Sequence, residues 1–435
     1  MTPAAEVHPV VDAALRGLTE GGVRWALVRG ADDLVRPSGD VDVLVDAGAL
    51  DRLDPILAEA GLRRLGMRGH GSHRFYFAYV ADEDLWIKLD VVSRIDFGHF
   101  QHLRAPVAAA CLDRRLRVDS VWRLAPEDEA ALFLLHLLLD KGRVAPERRD
   151  AAREAARLAS ASSPVATFVE RLAPGTWHEI TQAVLDDAPA RAEELARALA
   201  RTWAARRRVR SGLAWLVNRT LRRLELPVNG WAPGPVIALV GPDGAGKTTL
   251  SNALRDRFPV PPRTVYMGLW QKSKWDGRLS AVPGGRLLQR TIRIVRSNLS
   301  VRRHQLRGRL VLLDRFAQDA LLPGGVDTSR GGRLNQWLSL RLSPRTDLHL
   351  LLDAPGEVMF ARKGEHTPEL LEERRQAYLR LVPELGATAV LDAARPADEV
   401  AGSALAAIWE ALGSPGRRGR REAPGRPPSA RGSAR

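Results

Sequence analysis

"VIALVGPDGAGKTTL", residues 236–250, passes from an unbroken apolar run through a glycine-rich turn into a lysine and two threonines. Residues 236–240 have the β-branched, charge-free character of a strand buried on both faces. The next eight residues, Gly241 to Thr248, fit the pattern G-x-x-x-x-G-K-[ST] without a mismatch and lead into a helix. Glycines in such a turn let successive N–H groups curl around a β-phosphate, a lysine reaches the β- and γ-phosphates, and a threonine hydroxyl meets Mg2+. Gly241, Asp243, Gly244, Ala245, Gly246, Lys247, Thr248 and Thr249 are therefore the expected nucleotide-binding residues, with Lys247 catalytic and Thr248 a metal ligand. ATP and Mg2+ are the expected cofactors.

Outward from this loop, "RLVLLD" (309–314) and "DLHLLLDAP" (347–355) read as further buried strands alternating with helices. That order predicts an α/β domain over residues 231–413, a parallel sheet flanked by helices. A turn-rich stretch, "LPVNGWAPGP" (226–235), precedes it. Residues 119–230 read as a helical segment or linker, with Pro126 near a helix start. Residues 1–118 alternate short strands, "RWALVRG", "DVDVLVD", "RFYFAYV" and "LWIKLDVV", with helical stretches such as 50–60, which predicts a smaller α/β domain. Residues 414–435 carry too few apolar side chains to fold and read as a disordered basic tail.

The whole, 435 residues with 45% hydrophobic content, is long enough for two or three packed cores. No run reaches the ~18–20 apolar residues of a membrane helix, and no export signal is expected, since "MTPAAEVHPVVDAAL" has no basic stretch followed by an apolar core. Cys111 stands alone, so an internal disulfide and a multi-cysteine metal site are both excluded. A cytoplasmic protein is expected. The net charge of +15 is unevenly placed: residues 201–223 and 286–309 each hold eight arginines and no acid, and the tail is also basic. Together they exceed the net charge, so the remainder is acidic.

The loop insertion in "GPDGAGKTT" resembles that of thymidylate kinases and their relatives. "RLVLLDRF" is similar to that family's strand ending in an Asp-Arg pair, residues 350–381 to its strand, lid and following helix, and "AVLDAARPADEVAGSALAAI" to its closing strand and helix. The resemblance covers about residues 235–412. It implies that Asp243 faces the acceptor, that Asp314 helps hold Mg2+ through water, and that Arg315 binds an acceptor phosphate. Arg362 and Lys363 would be lid cations over the transferring phosphoryl group, assisted by Arg374 or Arg375. One segment departs from the family: "RTVYMGLWQKSKWDGRL" lacks the Phe-x-x-x-Pro-Gly stretch used around thymine and offers Trp270 and Trp275 instead. A phosphorylated or sugar-like acceptor is expected, not thymidylate.

In the first domain, Asp40 and Asp42 stand two apart in a β-like run and so share one face of a strand. With Asp90 at the end of another strand they would form three carboxylates able to hold Mg2+ as metal ligands and catalytic groups. The arrangement resembles the nucleotidyltransferase superfamily, whose glycine turn precedes an Asp-x-Asp strand; Gly30 stands ten residues before Asp40. Arg29 and Ala31 depart from that family's turn. The bland reading is a strand turning its carboxylates to solvent, as the Val41, Val43 and Val45 spacing allows. His70 and His73 read as loop residues, and Trp203 and Trp215 as packing of the helical segment.

The leading expectation is an ATP- and Mg2+-dependent kinase acting on a small acceptor, a nucleotide or sugar derivative, joined to a nucleotidyltransferase-like domain. Nucleic-acid end processing is the second reading, disfavoured because a strand would have to approach the acidic first domain. A non-catalytic ATP-binding switch is the third. A homodimer is compatible with each.

Overall fold

A computed structural model describes residues 7–29, 34–67, 71–226, 233–266, 285–314 and 344–413. The chain divides into two compact units, 1–232 and 233–435. No described helix is long and apolar enough to cross a membrane.

In the first unit the strands are β1 (Trp25–Arg29), β2 (Asp40–Val45), β3 (Arg63–Arg64), β4 (Arg74–Val80), β5 (Leu85–Val92), β6 (Ile95–Phe97), β7 (Leu103–Ala105), β8 (Leu116–Val118) and β9 (Val121–Arg123). Among the described residues, seven form one mixed sheet in the order β3-β4-β5-β2-β1-β9-β8, and β6 pairs with β7 apart from it. Alternation along β2 sorts its side chains. Val41, Val43 and Val45 join Trp25 and Leu27 in a core under helices α1 (Pro9–Glu20) and α2 (Leu53–Glu59). Leu44 and Ala26 face the other way.

That second face is covered too, which corrects the solvent-facing reading of β2: only Asp40 is exposed along the strand. The cover is the helical segment, α4 (Pro126–Leu135), α5 (Arg149–Leu158), α6 (Pro164–Leu172), α7 (Thr176–Leu185) and α8 (Pro189–Arg206), preceded by the short α3 (Ala108–Asp113) and followed by α9 (Arg208–Leu224). Ala26 and Leu44 of the sheet, Phe97 of β6 and Trp203 of α8 belong to one continuous cluster. Trp203, fully buried, meets Phe97 edge-on at 6.0 Å and Phe168 of α6 at 4.9 Å. The helical segment is therefore half of the first unit's core.

In the second unit β10 (Val236–Val240), β11 (Arg263–Tyr266), β12 (Val311–Asp314), β13 (Leu348–Asp353) and β14 (Thr388–Asp392) form a parallel sheet in the order β11-β12-β10-β13-β14. β10 comes first in the chain yet lies in the middle, so successive strands build out to one side of it and then to the other. All five of its residues are buried, as its apolar sequence requires. Helices α11 (Gly285–Gln305) and α13 (Pro368–Leu381) supply Val301 and Tyr378 to the core on one face. Helices α10 (Lys247–Arg257) and α14 (Ala397–Gly413) pack against each other and the sheet, and α12 (Gly356–Lys363) packs on α13.

Candidate functional site

The reversal of strand order at β10 leaves a crevice at the carboxyl ends of the strands, where open α/β sheets place their ligands. Residues 241–246 occupy it. Gly241, Gly244 and Gly246 all have positive φ, 146°, 86° and 100°. Two of them are required by contact as well: a Cβ on Gly241 would lie 2.9 Å from the Leu352 carbonyl oxygen, and one on Gly244 would lie 2.6 Å from that of Met359. Gly246 is the cap of α10, whose first N–H groups have no partner within the helix. Lys247 folds back over the turn, its Nζ donating to the carbonyls of Gly241 at 2.6 Å and Pro242 at 2.8 Å. Ala245 is buried under the turn, while Thr248 and Thr249 are exposed on the first turn of α10.

The flanking strands each end in a carboxylate. Asp314 closes β12 in register with Leu239 of β10, one residue short of the strand's end. Asp353 closes β13, and its carboxylate is gripped by the guanidinium of Arg375, Nε to Oδ1 at 2.5 Å and Nη2 to Oδ2 at 3.0 Å. Arg375 also donates to Glu372 at 2.9 Å, and Glu372 accepts from the Gly356 N–H at 3.1 Å. Of the two arginines expected to assist, Arg374 or Arg375, the second braces α13 and the start of α12 against the end of β13. Its pKa is raised, first by the hydrogen bond to Asp353.

The expected lid cations lie in the last turn of α12, Arg362 exposed and Lys363 paired with Glu365 at 2.8 Å. The turn beyond them reaches the glycine loop, where ligand atoms of Asp243, Glu365 and His366 lie within 4.8 Å of one another. Arg315, Trp270 and Trp275 lie outside the described residues, as do Gly30, Ala31 and His70.

In the first unit, Asp42 and Asp90 are register partners on the parallel neighbours β2 and β5, both nearly buried. Asp40 pairs with Lys88, its own register partner, at 2.5 Å. Among the described residues, Asp40, Asp42 and Asp90 are not a group whose ligand atoms gather within 4.8 Å, so the expected three-carboxylate cluster is not assembled. The reason is local: Lys88 draws Asp40 aside, and His73 at the head of β4 holds Asp90 by Nδ1 at 2.7 and 2.8 Å. Burial lowers the pKa of His73, but the hydrogen bond and charge of Asp90, with the charges of Asp42 and Asp96, outweigh it and leave the imidazole raised.

His73 and Asp42 line a cavity of about 150 Å³ between the sheet and α4, with Asp96, Gln101, His136 and Asp140. His136 and Asp140 pair at 2.8 Å across a single π-helical turn that continues α4. Such turns recur at functional sites because they re-aim side chains within a helix. Asp96, its side chain 4% exposed, accepts from Arg94 at 3.2 Å, and its Oδ1 is buried with no partner among the described residues. Burial raises its pKa, against the pull of Arg94. Sequence reasoning does not single out His73, Asp96, Gln101, His136 or Asp140 as site residues, although the His136-x-x-x-Asp140 spacing on a helix is open to reading.

Searches of protein-family models and of curated protein sequences return no match to this chain.

Proposed function

We propose that the chain is an ATP- and Mg2+-dependent phosphotransferase of the thymidylate or nucleoside-monophosphate kinase type, acting on a small, phosphorylated acceptor such as a nucleotide or sugar derivative. The observation that carries this reading is the glycine turn at the carboxyl end of the central strand, backed by Lys247 and the N-terminus of α10. Two glycines whose missing Cβ atoms keep the backbone close-packed, and a helix whose first N–H groups have no partner within it, suit a triphosphate. Lys247 would leave the carbonyls of Gly241 and Pro242 for phosphate oxygens, a stronger, charge-assisted contact. Thr248 and Asp314 would hold Mg2+, which when bound neutralises charge on the β- and γ-phosphates. Asp243 would face the acceptor, under the turn that carries Glu365 and His366.

Labelled ATP incubated with nucleotides, sugar phosphates and 5′-hydroxyl oligonucleotides tests the assignment. Transfer to a small phosphorylated acceptor supports it, and transfer only to oligonucleotide ends would replace it with end processing. ATP binding without transfer to any acceptor would leave a nucleotide-binding switch.

For the first unit we propose a nucleotidyltransferase-like site, favoured by the in-register pair Asp42 and Asp90. Those two would hold the metal, and Asp40 would join them on leaving Lys88. Asp42→Asn with Asp90→Asn should remove any nucleotidyl transfer; persistence of transfer would discard the reading.

A further inference from the structure

Helix α9 is inverted. A helix on a globular unit ordinarily buries its apolar stripe and shows polar residues to water. Here the buried residues are Ser211 and Asn218, and Asn218 donates its Nδ2 to the Phe100 carbonyl at 2.8 Å. On the opposite side, Val209 is 85% exposed, Leu213 61% and Leu216 55%, with Val217 and Leu224 exposed beside them. At ~3.6 residues per turn Val209, Leu213, Leu216 and Val217 form one continuous stripe on a helix about 25 Å long, and Leu224 follows on the same face beyond Thr220. Exposed arginines flank it, Arg210 on one margin and Arg208, Arg219 and Arg223 on the other. No acid occurs from residue 201 to 224.

The partner of such a face needs an apolar interior and an anionic rim. A nucleic acid would satisfy the arginines and leave the leucines in water. A second copy of α9 would cover the leucines but set arginine rows against each other. An anionic lipid surface meets both needs, because the stripe enters the acyl boundary while the arginines stay among the headgroups. We propose that α9 is a membrane-surface helix that seats this chain on anionic lipid without crossing it. The second unit carries the same chemistry on α11, where Ile292, Val295 and Leu299 are exposed with Arg296, Arg302 and Arg303, opposite buried Ile294 and Val301. Lipid binding by α9 is independent of the phosphotransfer reading.

The test is flotation of the full-length protein with vesicles of phosphatidylcholine alone and of phosphatidylcholine mixed with phosphatidylserine. Binding to the mixed vesicles is expected to exceed binding to the neutral ones by at least tenfold, since each arginine near an anionic leaflet contributes roughly fivefold. It should weaken as salt is raised. Leu213→Ser with Leu216→Ser keeps every charge and should cut vesicle binding about tenfold, with the melting temperature and any binding to a homopolymer RNA unchanged. Equal vesicle binding by this variant would overturn the proposal. So would a wild-type protein that ignores vesicles and forms a dimer abolished by the same substitutions, or a variant whose melting temperature falls because the stripe is covered within the folded chain. Retention of RNA binding with no lipid binding at all would assign the arginines to nucleic acid instead.

Discussion

At the scale of single residues, the glycine turn is where position matters most. Gly244 has φ 86° and no room for a Cβ, since the Met359 carbonyl oxygen lies 2.6 Å from where it would sit. Gly364 also has positive φ, 67°, but nothing within 4 Å. Gly364→Ala should cost about 1 kcal/mol of stability, the strain of a left-handed alanine alone. Gly244→Ala must add displacement of α12's backbone, so a loss of about 2–3 kcal/mol is expected together with loss of ATP binding, read by thermal melts with and without nucleotide. Equal penalties at the two glycines would show that the turn is not packed as described. Lys247→Ala is the complementary change. It removes a side chain whose partners are backbone carbonyls, so the melting temperature should hold while phosphoryl transfer is abolished. Turnover at the wild-type rate in this variant would remove the kinase assignment.

At the scale of elements, β13 and α13 show how much of the site is bracing. Asp353 and Arg375 meet fork to fork, both only about a quarter exposed, and Arg375→Lys keeps the charge while losing the paired geometry. A loss of about 1 kcal/mol from the second unit is expected in urea titration, discounted for partial exposure. Loss of phosphoryl transfer with unchanged stability would instead return Arg375 to the phosphates. β13 also buries His349, which shares hydrogen bonds with the Thr346 hydroxyl and the Ala387 carbonyl. Burial, its largest influence, holds the pKa below the ordinary value. The unfolded chain then binds more protons than the native one at mildly acid pH, so this contribution is full above pH ~6.5 and is lost as pH falls below it. His349→Gln should flatten the fall in stability of the second unit between about pH 7 and 5, a slope of at most about 1.4 kcal/mol per pH unit. An unchanged slope would place the titration elsewhere.

The same elements show what can be read in the chain beforehand. Strands β1, β2, β4, β5, β10, β12 and β13 follow from short apolar or alternating runs, because a strand's burial is written in its own residues. The glycine turn is legible because its glycines stand at a fixed local spacing between a strand and a helix. The cavity of the first unit is not. His73, Asp96 and His136 come from three separate elements, and their meeting depends on how α4 lies across β2 and β5, which no local pattern encodes. The bond between Arg375 and Asp353 is hidden for a similar reason: a cation on a helix shows its charge in sequence, but its partner lies 22 positions away.

At the scale of the whole molecule, residues 119–230 read in sequence as a helical segment or linker, and the helices α4 to α8 within them share a core with the sheet of the first unit. The sheet of the first unit has one face under α1 and α2, and its other face would lie open without α4 to α8. Trp203 is the residue that ties the two layers, touching Phe97 beside the sheet and Phe168 among the helices. Trp203→Ala deletes a fully buried indole, at a cost of about 3–5 kcal/mol. If sheet and helices are one cooperative unit, hydrogen exchange in the variant should quicken together in peptides from β2, β6 and α6 to α8. Peptides from β10 and β13 belong to a separate core and should keep their protection. The proposed phosphoryl transfer, which would draw only on residues of the second unit, should survive the substitution at close to the wild-type rate. Faster exchange confined to α6–α8, with β2 protected as before, would show that the helices fold apart from the sheet and that Trp203 serves only their own packing.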